Sequence, residues 1–238
     1  MSETVIRAIN SSITIFSVPF SRFGILPIGG RSTAIKLKND EVFVLASSPA
    51  DKETIDTINA MGTVKYLLTP DTVHAMYISD FFKLYPDAKC IGPEGIAQKK
   101  PDVKWAGVFG EGGESKTYGF EDELKLQYFP GHVNKEIAVL HMPTKTLVEA
   151  DLYFNLPPTE QYSKTSQSSQ PIWPLSLLQS GMKNAIPRLT GKDKAAMSRD
   201  TKIVAAWDFD RLIPCHGDVI ETGAKQVWLD AFKVYLDN

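Results

Sequence analysis

The sequence predicts a layered α/β protein, and three observations carry that reading. The first third alternates short apolar strands with amphipathic helical stretches. The middle third holds strand patterns joined by tight turns. The last third is dominated by helical periodicity. The chain has 238 residues, of which 43% are hydrophobic and 23% charged, so one domain spanning 1–238 can bury an ample core. No apolar run approaches the ~20 residues that a transmembrane helix requires. The start, Met-Ser-Glu-Thr-Val-Ile-Arg, lacks the basic and apolar regions of a signal peptide. A net charge of −2 argues against a nucleic-acid or anionic-membrane surface. Two cysteines, Cys90 and Cys215, are too few for a disulfide scaffold and fit a cytoplasmic, reducing location.

Taken in order, Ser12 to Val18 is β-branched and alternating, hence a strand. Ser32 to Leu37 and Val42 to Ala46 flank Asn39-Asp40 and read as a hairpin. Asp51 to Met61 has helical spacing, with Ser48-Pro49 as its entry and Gly62 just past its end. Val64 to Leu68 is a buried strand. Asp71 or Thr72 is expected to cap a helix running to about Tyr85. Lys89 to Ile91 is a strand, Pro93 to Lys99 a helical turn, and Gly107 to Gly119 a loop or irregular hairpin. Leu124 to Phe129, Glu136 to Met142 and Thr146 to Glu149 are strands, the last two antiparallel across the turn at Pro143-Thr144-Lys145. Pro157 to Pro174, rich in Pro, Ser, Gln and Thr, reads as a long inserted excursion, either a lid or poorly ordered. Helices are expected at about Ser176 to Ala185 and Lys192 to Trp207. A final helix capped by Thr222 carries a stripe at Ala224, Val227, Trp228, Ala231, Phe232, Tyr235 and Leu236.

Chemistry is signalled by the four histidines. His74, His132 and His216 each follow a strand, as does Asp151, and residues just past strand ends gather on one rim of a layered fold. His141 lies inside a strand instead, as a buried hydrogen-bonded residue or a partner behind a ligand. Cys215 reads as a small buried residue rather than a nucleophile.

This order of strand, His-bearing loop, Pro-Gly-His turn, strand pair, Asp, helices and Pro-Cys-His-Gly resembles the metallo-β-lactamase superfamily. Glu136 to Leu156 and Pro214 to Ile220 are similar to a poorly characterised metallo-β-lactamase-like subfamily, and the resemblance runs from about Ile13 to the C-terminus. It implies an αββα sandwich with a metal site on one edge of the packed sheets. The first family motif, His-x-His-x-Asp-His, is degenerate here. In Thr69 to His74 only the last histidine persists, Asp71 stands at the second histidine and Val73 at the aspartate. The usual Asp-x-Gly is replaced by Ala46-Ser47-Ser48.

Against a full site of seven ligands and two ions, Asp71, His74, His132, Asp151 and His216 remain, which favours one ion. His74, Asp151 and His216 form a two-His, one-carboxylate set suited to zinc first, and also to iron or manganese. Asp71 and His132 are expected as further ligands or as base and substrate-orienting groups. The resemblance implies hydrolysis of a small ester, lactone or thioester, with a small-molecule substrate and neither nucleic acid nor membrane as partner. A mononuclear iron oxidoreductase and a non-catalytic small-molecule binder on the same fold are the rival readings.

Overall fold

The computed structural model describes residues 3–171 and 185–237. In chain order, β1 (Val5–Ala8), β2 (Ile13–Val18), the short pair β3 (Ser21–Arg22) and β4 (Leu26–Pro27), β5 (Gly30–Lys36) and β6 (Glu41–Leu45) precede the first helix. Then come α1 (Lys52–Met61), β7 (Thr63–Leu68), α2 (Ile78–Leu84), β8 (Lys89–Pro93), α3 (Ile96–Lys99) and β9 (Trp105–Phe109). The second half contains β10 (Leu124–Phe129), β11 (Glu136–His141), β12 (Thr146–Glu149), α4 (Lys194–Ala205), β13 (Arg211–Pro214), α5 (Ala224–Ala231) and α6 (Lys233–Leu236).

Side-chain alternation along the strands sets the layers. Ile13 and Ile15 of β2, Ile35 of β5, Phe43 and Leu45 of β6, and Tyr66 and Leu68 of β7 face one way. They pack on Leu124, Tyr128, Ile137, Val139, Val148 and Ile213 from the later strands. Their neighbours Phe16, Ala34, Val42, Val44 and Leu67 face the other way, onto Ile58 of α1, Ile78 and Phe81 of α2 and Ile96 of α3. The outer face of the second sheet meets α4, α5 and α6 through Met197, Val204, Trp228, Phe232 and Tyr235, with the Trp228 and Phe232 rings stacked at 4.1 Å. Among the described residues this makes a seven-stranded sheet, β1-β2-β5-β6-β7-β8-β9, against a four-stranded sheet, β10-β11-β12-β13, with helices on both outer faces. That is the expected αββα sandwich. No helix among the described residues is long and apolar enough to cross a membrane.

Sheet topology brings the chemistry-bearing loops to one rim. β12 and β13 are parallel, so Asp151 and His216 leave the same edge. The β10–β11 hairpin returns antiparallel on β12, which puts its His132 turn on that edge too. β6 and β7 run parallel in the other sheet, and the loop after Leu68 is joined across the gap by the Ile137 N–H donating to the Pro70 carbonyl at 2.7 Å.

Several expectations need correction. No helix follows Asp71: its carboxylate turns back to accept from the Val73 and His74 N–H groups. Thr72 N–H is held by the Asn134 carbonyl at 3.0 Å, so α2 starts only at Ile78. The glycine-rich stretch from Gly107 is partly strand, because β9 pairs with β8. Gly107 is required there because a Cβ would sit 1.7 Å from the Tyr118 hydroxyl. Strands β1, β3 and β4 were not foreseen. The last helix has Gly223 rather than Thr222 at its N-cap, the Gly223 N–H donating to Asp210, and it breaks at Phe232 before α6. α4 begins at Lys194 with Asp193 as its cap. Of the expected helix at 176–185, residues 176–184 lie outside the described residues. The helical stretch at 185–190 is described. Within 157–171, Glu160 and Gln161 reach the rim and most of 163–170 is exposed, and 172–174 lie outside the described residues.

Phe43 is fully buried between the sheets, edge-on to Phe120 at 5.3 Å. Phe43→Ala is expected to lower unfolding free energy by about 3–5 kcal/mol in urea titrations, because both sheets lose packing at one point.

Candidate metal centre

Each imidazole at the rim is held from behind. His74 Nδ1 lies 2.8 Å from Asp71 Oδ2, a carboxylate that can only accept, so Nδ1 carries the proton. His216 Nδ1 lies 2.6 Å from the Gly29 carbonyl, which fixes the same tautomer. Both Nε2 lone pairs are thereby turned forward. They face one another at 3.1 Å, and Asp151 Oδ1 is 3.1 Å from His216 Nε2. Asp151 is steadied in turn by Asn134, whose amide donates to Oδ2, and by its own N–H donating to Glu136 Oε2 at 2.8 Å.

The remaining expected residues are placed less symmetrically. Asp71 is fully buried and spends its oxygens on the Val73 and His74 N–H groups and on the His74 ring. His132 is buried on the same rim. Its Nδ1 accepts from Asn134 N–H at 3.3 Å, and its Nε2 has no partner of hydrogen-bond geometry. Two sets place one ligand atom per residue within 4.8 Å of one another: His74, Cys215 and His216, and Asp71, His74 and Asp151. His132 belongs to neither. His141 sits at the far end of β11, bonded to Thr144 of the turn at 2.7 Å, and takes no part in the centre.

Electrostatics single out this cluster as a place for positive charge. Burial works against the His74 cation, yet the Asp71 and Asp151 carboxylates hold its pKa well above the ordinary histidine value. His216 is also raised: burial opposes the charge, and Cys215 and Asp151 favour it. Burial would push Asp151 up, but His74 and His216 hold it below the ordinary carboxylate range. His132 is lowered by burial. Behind these groups, burial drives Glu136 and Glu149 well above the carboxylate range, so they lean towards their neutral forms. The cysteines diverge. Cys90, buried among apolar groups, is pushed up to about 12, whereas for Cys215 the pull of His74 and His216 outweighs burial and lowers its pKa.

The sequence reading missed the residues that support the rim. Arg31, 2% exposed, donates from Nε to Ser17 Oγ at 2.9 Å and through its other nitrogens to the Pro214 carbonyl, the Gly217 carbonyl at 2.8 Å and Glu160 at 3.2 Å. It therefore grips the loop carrying His216 from both sides. Fully buried Gln161 completes the grip, donating to the Cys215 carbonyl at 2.7 Å and the Gly30 carbonyl at 3.1 Å and accepting from Gly217 N–H at 2.9 Å. Gly29 has φ 74°, and a Cβ there would fall 1.9 Å from the Gln161 side chain, so glycine is needed at this approach. Gln161 and Glu160 belong to the stretch read as a lid or disordered excursion. Those two residues form part of the floor under His216. A glutamine inside a Ser/Gln-rich run gives no local signal that it is buried.

Replacing Arg31 by Met would leave the Pro214 and Gly217 carbonyls without their buried donor and take one partner from Glu160, which keeps Ser17 and Arg7. The expected loss is about 3–5 kcal/mol of stability in chemical denaturation. Arg31→Lys is expected to recover only part of it, because an ammonium cannot reproduce the guanidinium fork.

No protein-family model matches this chain, and no curated protein matches it in sequence. Solved structures do match in shape. A metallo-β-lactamase from Pontibacter korlensis superposes with TM-score 0.62 at 11% identity, covering 99% of this chain and 100% of the other. One from Hirschia baltica gives 0.64 at 11% identity, covering 98% and 97%. The metallo-β-lactamase FIM-1 from Pseudomonas aeruginosa, solved in its mono-zinc form, gives 0.62 at 12% identity, covering 98% and 96%. With the layer order, the rim and these full-length matches together, this chain has the metallo-β-lactamase fold.

Proposed function

We propose that this protein is a metal-dependent hydrolase that holds one divalent ion on His74, Asp151 and His216. The observation that carries the reading is the meeting of two forward-facing Nε2 lone pairs and a carboxylate oxygen, with 3.1 Å between successive donor atoms. Ligands at ~2.0–2.1 Å from a tetrahedral ion stand ~3.3 Å apart, close to these two donor separations. The fold supports the same reading, and each of the two close sets of ligand-bearing groups contains two of the three, His74 with His216 in one and His74 with Asp151 in the other. Zinc suits the set first, and iron or manganese is compatible with it. Cys215 flanks His74 and His216 as a further donor, whereas His132, whose Nδ1 accepts from Asn134 N–H, carries its proton on Nε2. Asp71 acts through His74 by fixing its tautomer and raising its basicity.

When bound, such an ion supplies a polarised carbonyl oxygen and a water of lowered pKa. The chain's own part is orientation and charge. Asp151 stands beside the reacting position as an ionised ligand, with Oδ2 held by the Asn134 amide. His132 is the neutral imidazole on the same rim. In hydrolysis of an ester, lactone or thioester the acyl C–O or C–S bond breaks and the water oxygen joins the acyl carbon. One proton passes to the leaving oxygen or sulfur. Val73, standing where the family motif has an aspartate, offers no second ligand and no proton, consistent with a single ion.

Protein purified without chelator is expected to contain about one divalent ion per chain, zinc predominating. His216→Ala and Asp151→Ala are expected to lose it, and Asp71→Asn to weaken binding about 10–100-fold in competition with a metallochromic chelator. Protein that stays metal-free after equilibration with zinc would overturn the proposal. Bound iron with oxygen uptake would move it to the oxidoreductase reading.

A further inference from the structure

A cavity of about 410 Å³ opens beside this centre, and its floor includes His74, Cys215 and His216. Glu3, Arg22 and Asp51 are the charged groups on its wall, but much of that wall is apolar, with Val18, Pro19 and Phe20 from the end of β2 and Val73, Met76 and Tyr77 from the loop after β7. Three of them are large apolar side chains left in water, Phe20 at 40%, Val73 at 39% and Met76 at 57% exposure. Phe23 and Ile25, at the tip of the β3–β4 hairpin that follows Phe20, are more exposed still, at 85% and 62%. Apolar surface gathered around a pocket mouth, rather than scattered singly, marks a site whose occupant covers it.

The charged groups on the walls do not form a receptor for an anion. Among the described residues Arg22 is the one arginine there and no lysine is present. Its guanidinium lies over the Phe23 ring at 5.3 Å. Asp51 caps α1 by accepting from Thr54 N–H, and it also accepts from Thr4. Phosphate esters and nucleotides need several convergent cations, and this cavity does not assemble them. Val73 adds a second point. Where the family motif carries a carboxylate, this chain places an apolar wall within the same cavity as His74. The change that removes a metal ligand thus creates apolar surface beside the scissile position.

We propose that the substrate carries an uncharged apolar acyl or aryl group on the acid side of the scissile bond, lodged between Phe20 and the Val73–Met76 loop. The proposal rests on the hydrolase reading above and names its substrate class. Taking ~30 Å³ per methylene-sized unit, as for a water in the liquid, the cavity holds about a dozen such units. A medium-length acyl chain or a substituted aryl ring therefore fits, and a long lipid tail does not.

The test uses the full chain equilibrated with zinc. Hydrolysis is followed for straight-chain p-nitrophenyl esters and thioesters of increasing acyl length. kcat/KM is expected to climb about two- to fourfold per methylene until the cavity is full, then to level off. Phe20→Ser and Met76→Ser change exposed side chains and leave the core intact. They are expected to flatten that slope. A measurable acetyl-ester rate with no rise along the series would overturn this inference and leave hydrolysis standing. If zinc binds but no ester is turned over, the hydrolytic reading fails, and binding of the uncharged 1-octanol, followed as a thermal shift, then decides the cavity. Binding that weakens in Met76→Ser supports an apolar ligand, and absence of binding overturns it.

Discussion

The Nδ1 hydrogen bonds of two buried imidazoles are the constraint on which the centre depends. A free imidazole has two nitrogens and no preferred aim. With the Asp71 carboxylate behind His74 and the Gly29 carbonyl behind His216, each ring keeps one tautomer and one direction. The two Nε2 atoms then meet beside Asp151. Without either partner the rings could turn, and three donors with a shared focus would become three separate polar residues. The cluster is built from groups that accept more readily than they donate, in surroundings that penalise unshared charge. It is therefore a place made for a cation.

Holding such a cluster together is costly, and the fold offsets that cost in the layer beneath. Glu136 and Glu149 are buried and driven towards neutrality, which removes much of the repulsion they would exert on Asp151. Glu136 also accepts from the Ala150 and Asp151 N–H groups, tying the end of β12 to the start of β11. On the other side Arg31, a fully buried cation, binds the loop of His216 through carbonyls and reaches Glu160. Breaking one member leaves its partners buried and unsatisfied, so these supports act as a unit. The rim is thus rigid on its protein side and apolar on its open side, a combination suited to one polar reaction on a largely apolar molecule.

Much of the architecture was legible from local pattern. The β5–β6 hairpin, helix α1 with Asp51 before it, the β10–β11–β12 run and the stripe at Ala224 to Leu236 all follow from spacing and turn residues. Those patterns report which face each element buries. Failures came where tertiary contacts override a local signal. Asp71 looks like a helix cap because it accepts the N–H groups that a cap would, but the next residues are drawn to Asn134 instead of into a helix. The glycines after Trp105 look like a loop, yet the strand β9 uses Gly107 to admit the Tyr118 hydroxyl. The two-residue strands β3 and β4 are too short for periodicity to register.

By itself the sequence determined the alternation of elements, the faces they bury and the placing of His74, His132, Asp151 and His216 just beyond strand ends, because these depend on neighbours one to four residues apart. Tertiary structure decided which of those side chains converge. It set Asp71 behind His74 rather than beside it, left His132 outside the tight groups, and made Arg31 and Gln161 the floor under His216. That floor rests on hydrogen bonds between residues more than fifty positions apart. Whether two such groups meet is settled by sheet register and the burial of their carbonyl partners, and no local pattern along the chain encodes either.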